Sequence, residues 1–294
     1  MQTGLKPLGR ERLWLLALLS PSLVGLAFGA FGSVFATLLI SFLHWDLITP
    51  PEWAGLDNFA KLFTDSQFHK SLLTTFYFSS LYVPGVLVTS LIVAVLLNRK
   101  LRGLAFFRTV YFLPVVSSAV AVGLVWTGIY AKDNGLLNRA IEALGGQPVT
   151  WLGSQMVLVS VVIVNIWGAV GEGMIVFLAG LQAVPRDIYD AAEVDGANEW
   201  QQFCHITLPL IVPTLFFQAV LSTINGFQAF EYVYILTRQA GGGSNMPVLM
   251  FTIYRNGFNW FRMGQASAQA LVLALIIFGL TLLYFWLQRR WAAA

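Results

Sequence analysis

Residues 185–213 read PRDIYDAAEVDGANEWQQFCHITLPLIVP, and this polar stretch carries five of the chain's fourteen acidic residues: Asp187, Asp190, Glu193, Asp195 and Glu199. It lies between two long apolar segments. Its first half has the marks of a short helix, with Pro185 at the start and acidic groups in the first turn, where they complement the positive end of the helix dipole. Gly196 supplies a break after that helix, because glycine enters positive φ without steric penalty. A second short helix follows, and Leu208-Pro209 leads into the next apolar run. A simple connector between membrane segments would be shorter, so this helix–turn–helix is expected to touch something.

Composition sets the frame outward from this stretch. Hydrophobic residues make up 57% and charged residues 11% of the 294, with a mean hydropathy of +0.71, far from the quarter-charged norm of soluble domains. These values predict an integral membrane protein, with room for about six to eight spans of about 20 residues and none for a separate soluble domain. The one cysteine, Cys204, excludes an intrachain disulfide and any cysteine-based metal cluster, and reads as a small packing residue. A net charge of +3 makes no case for a nucleic-acid partner; the lysines and arginines read as topology signals.

Taken in order, residues 1–12 form a short basic start (Lys6, Arg10, Arg12), expected on the cytoplasmic side. Residues 13–43 contain no charge and form a first span, too long for the core of a cleavable signal peptide, with Pro21 expected to kink it. A polar loop with Trp45 and Trp53 at interfacial positions leads to a second span, 71–97, and then to the basic NRKLRG loop. Further spans are expected at 109–130, 155–181, 210–236 and 264–287, with the acidic insert at 182–209 and a short tail at 291–294. Residues 13–290 thus make one transmembrane domain. Six spans place both termini on one side. With the termini inside, ten Lys and Arg fall on inner segments and seven on outer loops. The inner clusters are also denser, so the acidic insert is expected in the cytoplasm.

The chain contains no Gly-x-x-x-x-Gly-Lys-Ser/Thr phosphate loop, no paired-histidine zinc motif and no Gly-x-Ser-x-Gly turn. It offers no catalytic and no metal residues. Only two acids fall inside spans, Glu172 and Glu231. On the fourth span Asn165, Gly168 and Glu172 share a face, with Trp167 nearby and small residues alongside that let another helix approach. On the fifth, read as one continuous helix, Gln218, Ser222, Asn225 and Tyr232 fall within a sector of about 80°, with Gln228 just beyond. This stripe would run about 21 Å, too long to face lipid. Two readings fit it: hydrogen bonding between helices, or one wall of a hydrophilic pathway. Amides beside Trp167, Phe227 and Phe230 suit a sugar ring, which has apolar faces and a polar rim. Glu231 is as well suited to a structural role as to substrate contact. A self-sufficient secondary transporter using Glu172 or Glu231 is a rival reading, weakened by the lack of a convincing internal repeat. No Lys or Arg falls inside the expected spans, which favours a neutral substrate.

With these residues in view, the insert is identified by its spacing. Asp190-Ala191-Ala192, three residues, Gly196, nine residues, then Ile206-x-Leu208-Pro209 resembles the EAA loop of ABC-importer permease subunits, with Asp190 where that pattern usually has Glu. GLDNF at 55–59, NGLLN at 134–138, LAGLQAVP at 178–185 and the LT and GGG runs within 236–243 extend the resemblance. They are similar to the carbohydrate-uptake, maltose-type branch, whose close relative is the glycerol-3-phosphate permease. The resemblance implies an all-α membrane protein of the type I ABC importer fold, with six transmembrane helices and a cytoplasmic coupling helix pair. It implies that Asp190 faces a basic group on a cytoplasmic ATPase while Ala191 and Ala192 allow close approach beside Glu193. Gly196 makes the turn, and Ile206, Leu208 and Pro209 hold the second helix against the spans. It also implies a second homologous permease subunit, two ATPase subunits, an extracytoplasmic solute-binding protein, a sugar substrate and a bacterial or archaeal inner or plasma membrane. ATP and Mg belong to the partner ATPase, so the chain itself is expected to hold no cofactor.

Overall fold

Inside hydrocarbon a backbone N–H or C=O has no water to turn to, so apolar runs of this length become helices. The computed structural model describes residues 9–99, 103–239 and 246–291. Residues 1–8, Lys100 to Arg102 of the basic loop, the glycine run at 240–245 and the tail residues 292–294 lie outside the described residues. In chain order, α1 (Gly9–Gly25), a π-helical turn (Leu26–Phe31) and α2 (Gly32–Ile40) make the first apolar rod. Strands β1 (Leu43–His44) and β2 (Glu52–Trp53), then α3 (Asp57–Thr64), lead to the long α4 (Ser66–Leu97). Next come α5 (Leu104–Val116), α6 (Ala119–Ile129), α7 (Leu136–Ala143) and α8 (Val157–Gln182). The acidic insert holds α9 (Arg186–Val194), α10 (Glu199–Gln202), a π turn (Phe203–Thr207) and α11 (Leu208–Leu210). The chain continues with α12 (Val212–Phe227), α13 (Glu231–Gln239), α14 (Leu249–Tyr254), a π turn (Arg255–Asn259) and α15 (Met263–Trp291).

Among the described residues, four stretches are long and apolar enough to cross a membrane unaided: Trp14–Ile40, Ser66–Leu97, Val157–Gln182 and Met263–Arg289. The count reaches six if two bent pairs are each one span. Leu104–Val116 and Ala119–Ile129 meet at 101°, and Glu199–Leu210 and Val212–Arg238 at 67°. The span expected at 109–130 therefore contains a sharp bend between two helices. Ser117 and Ser118 are both extended, and the Ser117 hydroxyl donates to the Leu113 carbonyl at 2.7 Å, closing off the end of α5. The fifth apolar segment is broken too, since α12 stops at Phe227 and α13 begins at Glu231. In the first rod Pro21 sits within α1, and the irregularity comes after it, as the π turn.

The chain divides into two units. The first comprises residues 1–64 and 253–272. No residue of its apolar rod from Trp14 to Ile40 is buried. Leu43 pairs with Trp53 and His44 with Glu52 in a short antiparallel ladder between the first rod and α3. Asn58 of the GLDNF run is 2% exposed and donates to the carbonyls of Ser41 and Leu43, both at 2.9 Å. Asp57 accepts from Lys61 at 2.6 Å and meets His44 at 2.8 Å. The hydrogen bond from Lys61, with His44 adding to it, holds that carboxyl below the ordinary carboxylate range.

The second unit comprises residues 65–252 and 273–294, and its framework is α4 packed along α8. Small residues let these helices close up. A Cβ on Gly173 would stand 2.5 Å from Ser90 Oγ of α4 and 3.1 Å from Gln218 Nε2 of α12. One on Gly171 would run into the Tyr111 carbonyl of α5. Two apolar clusters fill the unit. One gathers Phe78, Tyr82, Tyr130, Val161, Val233 and Phe251. The other gathers Ala94, Leu97, Met174, Phe177, Leu181 and Ile211, with Tyr189 of the insert against it. Outside the helices, Asn138 of the NGLLN run is the knot of its loop. Its amide donates to the carbonyls of Lys132 and Val149 and accepts from the Val149 N–H and the Trp151 ring, at 2.9 to 3.0 Å.

The close approach at Gly173 predicts that Gly173→Leu, which overfills the α4–α8–α12 contact, destabilises the protein by about 1–3 kcal/mol. The change should appear as a lower melting temperature and a smaller monodisperse fraction in detergent. Gly128→Leu is the control, because a Cβ there meets nothing within 4 Å, and it should behave as the parent.

Candidate functional site

The acidic insert is built from short-range rules. Pro185 precedes α9, and Asp187 sits in its first turn. The helix ends with Gly196 at φ +80°, where the Ala197 N–H donates to the Ala192 carbonyl at 2.9 Å and the Gly196 N–H to the Glu193 carbonyl at 3.1 Å. These paired bonds form a Schellman closure. Two residues later Asn198 starts α10 with a reciprocal capping box. The Gln201 N–H donates to Asn198 Oδ1 at 2.9 Å, and Gln201 Oε1 accepts from the Asn198 N–H at 2.8 Å. The Asn198-x-x-Gln201 signature was present in the sequence and escaped the reading above.

Of the residues expected to meet an ATPase, Asp190, Ala191, Glu193 and Gly196 are exposed. Ala192 is half-buried on the same side of α9 as Tyr189, so the alanine pair is split between two faces. Tyr189 and Thr207 share a hydroxyl–hydroxyl bond of 2.8 Å that ties α9 to the second half of the insert. There Ile206 and Leu208 are half-buried and Pro209 is exposed. Arg99, just past α4, donates to Glu199 Oε2 at 2.6 Å. The insert is thus held to the helices by the cluster around Leu181 and Ile211 as well as by this ion pair.

The second feature is a cleft of about 1130 Å³ in the second unit. Two helix interruptions lie on its wall: Ser117 and Ser118 from one, Gln228, Ala229 and Phe230 from the other. Irregular backbone is tolerated at membrane depth only where protein or a wet cavity meets it. Asn165, Glu172, Asn225, Gln228 and Tyr232 line the cleft together, as do Tyr82, Glu231, Tyr234 and Arg238. Gln218 and Ser222 do not. They are 4% and 1% exposed, and Gln218 Nε2 donates to Ser222 Oγ at 3.3 Å within the contact that Gly173 opens. Trp167 also stays off the cleft wall, edge-on to Trp126 with centroids 5.7 Å apart. The single stripe read for the fifth segment is therefore two features. Gln218 and Ser222 sit in the packing of α4, α8 and α12, whereas Asn225, in the last turn of α12, and Gln228 and Tyr232, beyond its end, line the cleft.

Arg238, two residues past the expected end of the fifth span, is a cleft residue that the sequence reading placed in a loop. It lines the cleft, with Nη1 donating to the Tyr234 hydroxyl at 2.9 Å. Composition gave no sign of it, because its position depends on α13 continuing past the break. The signal that could have found the other break is Pro114, which cannot donate a backbone N–H, followed by the Ser117-Ser118 pair. Among the described residues no group of three or more His, Cys, Asp or Glu is placed to hold a metal ion.

A polar cleft walled by broken membrane helices, beside a helix–turn–helix fastened to their ends, defines a transport membrane component. The chain belongs to the family described as binding-protein-dependent transport system inner membrane component, whose model matches residues 59–293. It is 36% identical over 281 residues to the probable ABC transporter permease protein YesP of Bacillus subtilis, covering 94% of this chain and 90% of that one. It is 34% identical to the lactose transport system permease protein LacF of Rhizobium radiobacter, with 81% and 82% covered. Its fold matches a chain of a bacterial ABC transporter involved in import of the acidic polysaccharide alginate. That match has a TM-score of 0.84 and 26% identity over 95% of this chain and 96% of that one. The protein is a transport subunit with the type I ABC importer permease fold, not an enzyme.

The Schellman closure at Gly196 predicts that Gly196→Val, forcing a β-branched residue to positive φ, loosens the whole turn. Hydrogen exchange of the amides at 196–202 should speed up by about tenfold or more. Asn198→Ala should cost about 1 kcal/mol of local stability and speed exchange of the first amides of α10 by about fivefold.

Proposed function

We propose that this chain forms half of the translocation pathway for a neutral sugar or oligosaccharide in an ATP-driven importer. A second homologous permease completes the pathway, an extracytoplasmic solute-binding protein delivers the substrate, and two cytoplasmic ATPase subunits hold the ATP and Mg. The observation that carries this is the pairing of an EAA-spaced insert with a polar, aromatic-lined cleft on the same bundle. Such walls suit sugar rings: Asn165, Asn225 and Gln228 offer amides to hydroxyls, while Tyr82, Phe230 and Tyr232 offer apolar faces. The lactose permease named above, and the polysaccharide cargo of the structural relative, support a carbohydrate. Charge supports a neutral one. Glu172 and Glu231 both line the cleft, against Arg238 alone among its cations, so a phosphate or uronate would meet net repulsion from this subunit.

In mechanism, closure of the ATPase dimer moves the insert as one rigid piece. Tyr189–Thr207, the Gly196 closure and the capping box keep its two helices in register, and the cluster around Leu181 and Ile211 passes the motion to α8 and α12. Asn165 and Glu172 stand on α8 and Asn225 on α12, so a displacement of the insert changes the cleft walls. The excess of Lys and Arg on the inner segments supports cytoplasmic termini and a cytoplasmic insert, within a bacterial or archaeal inner or plasma membrane.

The test is Asp190→Lys in the intact transporter reconstituted in vesicles. Assembly should survive, because Asp190 is exposed, while substrate uptake falls by about tenfold or more and substrate no longer stimulates ATP hydrolysis. Unchanged uptake with normal stimulation would sink the coupling role.

A further inference from the structure

The insert shows an apolar surface that its polar composition conceals. Val194 is 89% exposed and Trp200 72% exposed, an unusual display for a segment carrying five carboxylates. They bracket the turn: Val194 is the last residue of α9, Trp200 is in the first turn of α10, and Gly196 at φ +80° lies between them. Ile188, one face over on α9, is 39% exposed. Trp200 is not a loose side chain. Its ring stacks on Phe203 with centroids 5.8 Å apart and planes 27° apart, and the capping box immobilises the backbone beneath it. An aromatic group ordered in advance loses little entropy on binding.

The charges around this pair separate into two kinds. Glu199 is already engaged by Arg99 at 2.6 Å. Asp187, Asp190, Glu193 and Asp195 are all exposed and form no ion pair among the described residues. An apolar centre with an acidic rim is the layout of a docking surface in which the centre supplies affinity and the rim supplies orientation and encounter rate. Exposed ion pairs are weak and screened by salt, whereas a buried tryptophan is among the strongest interface contributors.

We propose that Val194 and Trp200 are the anchors by which this chain grips its ATPase, and that the acidic groups including Asp190 aim the contact rather than hold it. The partner surface is an apolar socket with a basic rim. This assignment rests on the coupling role proposed above and adds to it two residues outside the spaced motif. It also separates two functions within the insert: docking at the turn, and transmission through Tyr189, Thr207 and Ile211.

The experiment is equilibrium binding of the purified ATPase subunit to the permease pair in nanodiscs, at 50 and 500 mM salt as order-of-magnitude limits of screening. The expected result is that Trp200→Ala and Val194→Ser each weaken binding by about tenfold or more. Trp200→Phe should retain most of the affinity, Asp190→Asn should stay within about threefold, and the parent should change little with salt. Val194 is nearly free of contacts, so its substitution leaves the fold intact and guards against misfolding as the cause. Loss of binding in Asp190→Asn with both apolar variants within about twofold, or a collapse of parent affinity at high salt, overturns the anchor assignment alone. A parent permease pair that binds no ATPase under either condition overturns the coupling role as well.

Discussion

A helix cannot simply stop inside hydrocarbon. Each break strands N–H groups on one side and C=O groups on the other, and lipid satisfies neither. This constraint organises the second unit. Two of its helix breaks, at Ser117-Ser118 and at Gln228 to Phe230, open onto one cleft, where polar side chains and water can reach the freed backbone groups. The Ser117 hydroxyl takes up the Leu113 carbonyl directly. Everything polar along the cleft follows from the same requirement, because a wall with exposed backbone has to remain wet.

The rest of the bundle is arranged to hold those breaks apart. Gly173 and Gly171 bring α8 against α4 and α5, and the close contact buries Gln218 and Ser222 in a position a sequence stripe would assign to the pathway. Among the described residues Gln218 Oε1 has no hydrogen-bond partner, so part of this contact is bought by desolvating an amide rather than by pairing it. Further along, the cluster at Leu181 and Ile211 joins the insert-side ends of the same helices to the insert. The cleft and the insert are thus joined by one packed set of helices.

Much of this was legible from residues. The insert could be read because its logic is local: Pro185, Gly196 and Leu208-Pro209 act within a turn or two of themselves, and the Asn198 box obeys the same short-range rule. Asn58 and Asn138, quoted only as parts of motifs, prove to be the groups that satisfy loop carbonyls. The pathway face was less accessible. A hundred degrees per residue is a sound guide only while the helix continues, and α12 ends five residues before Tyr232. Arg238 reaches the cleft on α13, past the residues at which the helix is interrupted.

Composition and local sequence by themselves determined that this chain has the apolar length to span a membrane and which local turns its polar insert makes, and the insert's residues carried the resemblance to an EAA loop. These depend on hydrophobic length and on interactions within a few residues. The tertiary structure alone decided where the membrane segments break, which half of a polar stripe is buried, and which side of the insert is apolar and bare. Those depend on close approaches between helices distant in sequence, such as Gly173 to Ser90, and on the need to satisfy backbone groups that only the assembled bundle creates.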